Sequence, residues 1–520
     1  MASLLAGAPM QTRLTLLLLI ATSACGAPES AGPELIMTGG RIYVTPAGDQ
    51  VVSALAIQGD MITALGDDAT VRALATDDTQ EMPLNGAAVL AGMHDAWVDL
   101  FALGALEDRV DLRLTASPRD VQAKVRAALR NRAGTIVGWG WDERRWPDPT
   151  LPTASALDEV TTEQAVVLYR RSGRVAWLNS AALERAGLEA AGTSNGMVSG
   201  AHLEAAEDAL LDLGSMEAQE WVRRSLRAAA AGGVTSLGTT PLDPRQISVL
   251  EGLAEADITV RVGVRIRADA QLSKELGLLR LDGLGLELDG PISLGLSGLN
   301  EPLIDAVTTH PPDAAALAVA CAAATQAGLP LDVQARGDAA IELALTCAAT
   351  RLVIGADLLP TSVDVPRDAR FAVVPGRLAN DMYWLDTVLG SARAPRTHAY
   401  REMARHGWLA GVASDAPAAE IRPMEALRIM FTRRDREGFP LDGWQAQERL
   451  AVGDSLSAMM AAGPLSPTLE PGRAADLVVW SEDPFVGEAE LRGAQAMLVL
   501  VNGRVVYSRP LATPPMDRRQ

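Results

Sequence analysis

The sequence predicts an α/β protein, with a central parallel sheet and a small β-rich module made from both ends of the chain. Apolar strand-like runs alternate with Ala-, Leu- and Arg-rich helical stretches, the pattern of βα units whose strands pair in parallel. Short alternating strands broken by Gly and Asp fill 35–66, and that texture returns only at 474–508, so the two ends are expected to build one sandwich. A length of 520 residues suits a large domain with an accessory one, and 48% hydrophobic with 21% charged residues allows a sizeable core.

In chain order, Arg13 precedes the apolar run "LTLLLLIATSA" (14–24), the length of a signal-peptide core and too short to span a bilayer. Met10 is an alternative start to Met1. Cys25 follows Ser23 and Ala24 as in a bacterial lipobox, with Thr22 where such boxes usually carry Leu. Residues 1–25 are therefore expected to export the protein and to leave a diacylated Cys25 as its only membrane attachment; the alternative is ordinary signal cleavage and an incidental cysteine. The expected location is the periplasmic or outer face of a bacterial membrane. Residues 26–34 form a tether, 35–87 with 466–510 the composite sandwich, and 88–465 the central α/β region.

Strand candidates within that region include "TIVGWGW" (135–141), "AVVLYR" (165–170), "GVTSLG" (233–238), "ITVRVGVRIR" (258–267), "LPLDVQA" (329–335), "FAVVP" (371–375) and "LAGVASD" (409–415). Pattern alone leaves a closed barrel and an open doubly wound sheet as alternatives. Cys321 and Cys347, in Ala-rich helical patterns without zinc spacing, are expected to be buried thiols. The net charge of −19 argues against a nucleic-acid partner, whose phosphates need a basic face. Only two lysines, Lys124 and Lys274, are present.

Taken together, "GGRIY", "ALAIQGDMITALG", "VLAGMHDAWVDL" and the closing "LEPGRAADLVVWSEDP" resemble the amidohydrolase superfamily. "GWGWDERRWPDPTLPTASALDEV", "RSGRVAWLNSAALERAGL", "ARGDAAIELAL" and "ASDAPAAEIRPMEALRIMF" narrow the resemblance to amidohydrolase family 3, in unbroken order from about 35 to 508. It implies a distorted (β/α)8 barrel carrying the β-sandwich, with the site at the C-terminal ends of the strands. It also implies hydrolysis of non-peptide C–N bonds by divalent metal, which lowers the pKa of bound water and polarises the carbonyl.

The ligand positions this resemblance implies are mostly replaced. The first-strand histidine pair is matched by Trp97 and Asp99. The bridging carboxylated lysine, four residues before Asp289-Gly290, is matched by Gly285. Two further histidines are matched by Gln334 and Ile354, and Asp415 alone keeps the family's metal-binding, proton-shuttling carboxylate. Histidines the family carries in "RSGRVAW" and after "VVP" are matched by Arg174 and Arg377. Five of six positions are thus changed, and His94, three residues before Trp97, is expected to face away as a satisfied structural histidine.

The leading expectation is a protein silent in the inherited chemistry, with no cofactor, that binds a small molecule or nothing. Arg174 and Arg377 are its anion-binding candidates, against ordinary ion pairing. The alternative is a rebuilt site in which Asp99 and Asp415 hold Zn, Mn or Mg, or share a proton. For Asp415 the plain alternative is a loop or helix cap.

Overall fold

The computed structural model describes residues 32–509 except 172, 189–194, 212–215, 293–294, 305–309, 362–364 and 465–466. The targeting segment with Cys25, and residues 26–31 of the tether, lie outside the described residues. Eight parallel strands form the central sheet: β1 (Met93–Val98), β2 (Val234–Thr239), β3 (Arg261–Ile266), β4 (Leu279–Glu287), β5 (Leu331–Ala335), β6 (Thr350–Gly355), β7 (Phe371–Val373) and β8 (Leu409–Val412). Their order follows the chain. The two edges meet through one parallel bridge, Val98 to Ala416, and Asp99 N–H donates to Ala416 C=O at 3.0 Å, so the sheet is a nearly closed, distorted barrel.

Both faces of the barrel strands are largely buried along their central and C-terminal residues, but they bury different things. Outward residues such as Val262, Val264, Leu331 and Val333 join the main apolar core. Inward residues split into an apolar cluster, Ala96, Trp97, Leu352, Ile354, Ala372, Val374 and Ala413, and a polar set that includes Arg265, Asp332 and Gln334. The helices begin where the sequence offers caps. Asp313 accepts from Ala316 N–H at the start of helix Ala314–Ala327, which ends at Gly328 with φ 65°. Asp243 and Gln246 close a capping box ahead of helix Pro244–Glu251.

Two expected barrel strands lie elsewhere. Ile136–Trp141 and Val166–Arg170 belong to a separate five-stranded sheet with Val110–Asp111, Val175–Leu178 and Met197–Ser199, inserted between β1 and β2. The first three pair in parallel and the last two antiparallel. This sheet has its own core, in which Trp141 stacks on Trp146 and meets Trp177 edge-on, each pair at 6.0 Å.

The chain ends also meet. Leu477–Trp480 pairs antiparallel with Ala88–Ala91, which on its other side pairs with Arg41–Tyr43. Ala496–Val501 and Arg504–Ser508 extend the same six-stranded sheet, and a four-stranded sheet is built from Leu35–Thr38, Ala54–Gln58, Met61–Gly66 and Gln80–Pro83.

Cys321 and Cys347 are not separate thiols but a disulfide with a Cα–Cα distance of 6.0 Å. Helix Ala314–Ala327, strand β5 and helix Asp338–Ala344 fold back on one another and bring the two together across 26 residues.

Candidate functional site

The barrel interior shows the surroundings of each residue compared above with a metal ligand. Trp97 is fully buried and shares its apolar cluster with Ile354. Beneath the indole lies the Arg265 guanidinium, 5.3 Å from the ring centroid. Arg265 also donates to Asp332 at 2.6 Å and to the Thr239 carbonyl at 3.1 Å. Its reach depends on small neighbours: a Cβ on Gly238 would collide with the guanidinium. Gly285, the expected lysine position, is closed in the same way, since a Cβ there would stand 2.8 Å from Pro241 Cγ and 3.2 Å from Arg265 Cβ. Indole, guanidinium and aliphatic side chains thus pack around Trp97, Gly285 and Ile354.

Asp99 sits at the mouth with its carboxylate committed. It is the N-cap of helix Leu100–Gly104 and accepts from Ala102 N–H at 2.8 Å. Burial raises its pKa, opposed by that N–H and by the charges of Arg109 and Arg174. Asp415 is committed more heavily. Arg377 donates to it at 2.5 Å, Arg336 at 3.2 Å, and the Gln334 amide at 3.3 Å. Burial alone would push its pKa up, but the charges of Arg377, Arg336 and Arg174 outweigh that and hold it below the ordinary carboxylate value. A carboxylate held in this way is a poor base. Its role is that of a buried counter-ion.

Arg174 and Arg377 do reach the barrel mouth, and each is paired there. Arg174 forms an ion pair with Glu287 and donates to Gln334 Oε1 at 3.0 Å, so the Gln334 amide relays between Arg174 and Asp415. Arg377 bridges Asp415 and Asp357, the latter at 3.0 Å. The sequence reading missed Arg336, Asp357 and Glu287. Arg336 was within reach, because alternate residues share a face and Asp332, Gln334 and Arg336 form one alternating polar series. Asp289, of the Asp-Gly pair, accepts backbone N–H bonds from Arg336 and Gly337 at 2.9 Å and from Gly298 at 3.0 Å.

His94 departs from the expected satisfied histidine. Register shifts interrupt the pairing of β1 with β2, so strict alternation does not carry from His94 to Trp97. Nδ1 meets Ser236 Oγ at 2.9 Å, while Nε2 is buried with no hydrogen-bond partner among the described residues. Burial, with the Arg265 charge adding to it, pushes the His94 pKa down to about 3.

Near Asp99 the insert contributes a second acidic group. Glu207 accepts from the Tyr169 hydroxyl at 2.7 Å, and Arg109 lies over the Tyr169 ring at 4.8 Å. Burial pushes Glu207 up to about 7 from 4.5; the Tyr169 bond opposes this and the Asp99 charge adds to it. A carboxyl group whose pKa is raised by folding contributes stability that is full below about 4.5 and lost as pH rises through about 7. Glu207→Gln is therefore expected to match the parent near pH 4.5 and to exceed it at pH 8, by up to about 3 kcal/mol. Thermal melts across that range check it.

The donors present do not fit a di- or mononuclear hydrolytic metal site. Trp97, Gly285 and Ile354 offer no lone pair, and the Asp415 carboxylate is ringed by arginines. Among the described residues, no group of three or more His, Cys, Asp or Glu side chains is placed to hold a metal ion.

A nearly closed barrel of eight parallel strands, joined to a sheet composed from both chain ends, defines a class. The chain belongs to the amidohydrolase family, whose model matches residues 80–507. It is similar to Protein LONG AFTER FAR-RED 3 of Arabidopsis thaliana, 24% identical over 92% of each chain. It is also similar to the putative amidohydrolase YtcJ of Bacillus subtilis (strain 168), 23% identical over 92% of this chain and 100% of that one. In fold it resembles an uncharacterized metal-dependent hydrolase from Pyrococcus horikoshii OT3, with a TM-score of 0.74 and 21% identity over 88% of this chain and 99% of the other. A counterpart from Pyrococcus furiosus gives 0.70 and 22% over 87% and 99%.

Proposed function

We propose that this is an exported member of a hydrolase family that no longer performs metal-dependent C–N hydrolysis and acts by binding a small molecule. The observation that carries the reading is the filling of the barrel centre. Trp97 and Ile354 form an apolar wall, Arg265 lies under the indole, and Asp415 neutralises Arg377 and Arg336 instead of facing an open coordination site. Export, with Cys25 as a lipid anchor, is supported by the signal-like N-terminus and by the Cys321–Cys347 disulfide, a bond that persists in oxidising compartments. The rebuilt Asp99/Asp415 site loses support, because one carboxylate caps a helix and the other is paired with arginines.

Metal analysis tests the reading. After incubation with Zn²⁺, Mn²⁺ and Mg²⁺ and removal of excess, the purified protein is expected to retain well under one metal per chain and to show no rise in Tm. One tightly held metal per chain, lost in Asp99→Ala and Asp415→Ala, would overturn it and restore a hydrolase with a new site.

A further inference from the structure

A cavity of about 840 Å³ opens beside the last barrel strand. Part of its wall comes from Arg113, Trp139 and Arg171 of the insert, Gly376 and Asn380 of the helix after β7, and Glu420 of the loop after β8. Its volume lies in the range of small-molecule sites. Arg171 lies three residues before Arg174, which pairs with Glu287, but Arg171 itself is differently placed. It is half-buried, and among the described residues no hydrogen bond or ion pair reaches its guanidinium.

The surrounding charges explain why nothing inside the protein satisfies it. Burial and the neighbouring charges of Arg145 and Arg113 depress its pKa, against Asp142 and Glu420. Those two carboxylates are already held elsewhere, Asp142 by Arg170 at 3.2 Å and Glu420 by Arg422. Arg113 is doubly bonded to Asp111, both contacts at 2.9 Å. With the Arg145 guanidinium beside it likewise without a partner among the described residues, Arg171 makes a local positive excess at this cavity in a chain of net charge −19. Its nitrogens are not sealed from solvent, so an anion entering the cavity can reach them, and a two-oxygen anion matches guanidinium geometry. Pro417, Ala418 and Ala419, each partly exposed, line the same cavity and give it an apolar wall.

We propose that this cavity binds a small organic anion, with its carboxylate or phosphate group on Arg171 and its apolar body along Pro417, Ala418 and Ala419. The proposal rests on the binding-protein reading above and names the class of ligand. Isothermal titration with phenylacetate and with inorganic phosphate tests it, on metal-free and metal-treated protein in parallel. Metal retention then reports on the silent-barrel reading separately from anion binding.

Saturable one-to-one binding of phenylacetate is expected, weakened at least about 10-fold in Arg171→Gln and less in Arg171→Lys. Binding of phosphate alone, with the same dependence on Arg171, supports the anion site and assigns it to phosphate-bearing ligands. The ligand-free Tm of Arg171→Gln is expected to equal or exceed the parent's, since no internal partner is lost. The proposal is overturned if neither probe binds at millimolar concentration, if Arg171→Gln binds as the parent does, or if that variant melts several degrees lower without ligand.

Discussion

Replacing Asp415 with Asn is expected to lower the unfolding free energy by about 3–5 kcal/mol, the scale of breaking a buried ion pair from one side. Arg336 is 3% exposed, and among the described residues the only carboxylate hydrogen-bonded to its guanidinium is Asp415; Arg377 would keep Asp357. The size follows from the imbalance left behind, two buried guanidinium groups facing one carboxylate. Adding Arg336→Met to Asp415→Asn removes the orphaned charge and is expected to recover part of the loss. Urea unfolding of the parent, both single variants and the double variant measures the coupling. Near-neutral Asp415→Asn would mean that this carboxylate is not the counter-ion the geometry makes it.

The second large effect is expected at Arg265. Arg265→Ala removes the donor to Asp332 and empties the space under Trp97, and should cost about 3–5 kcal/mol by cavity formation and loss of a buried charge partner. Asp332 keeps one partner, Arg351, at 2.5 Å. Arg265→Met together with Asp332→Leu keeps the volume and removes both charges. It is expected to cost clearly less than Arg265→Ala alone, because a buried pair can be exchanged for apolar side chains at little loss. Equal costs would show that volume alone matters there.

Much of this architecture was legible in the sequence. The βα alternation and the shared β texture of the two ends come directly from side-chain periodicity. What filled the centre was not legible. In "VRVGVRI" both strand faces are buried, so alternation cannot say whether Arg265 points into the barrel or out towards the helices. For the same reason "IVGWGW" and "VVLYR" looked like barrel strands, since a buried parallel strand reads alike in any sheet. The disulfide depends on a helix–strand–helix return that no local spacing reveals. Arg174 and Arg377 drew notice because they replace histidines, yet their carboxylate partners Glu287 and Asp357 lie far away in sequence.

The pairing of the chain ends has a consequence for synthesis. Strand Ala88–Ala91 receives Arg41–Tyr43 on one side early, but its other side waits for Leu477–Trp480. Roughly 390 residues separate these partners, so at about 5–20 residues per second that edge stays open for about 20–80 s on the ribosome. During this interval an apolar four-residue edge, "AVLA", is a template for pairing with another nascent chain. The last strands made are therefore the ones that end the hazard. A chain stopped before Leu477 would leave the amidohydrolase barrel joined to an unfinished sheet, with self-association as the first symptom.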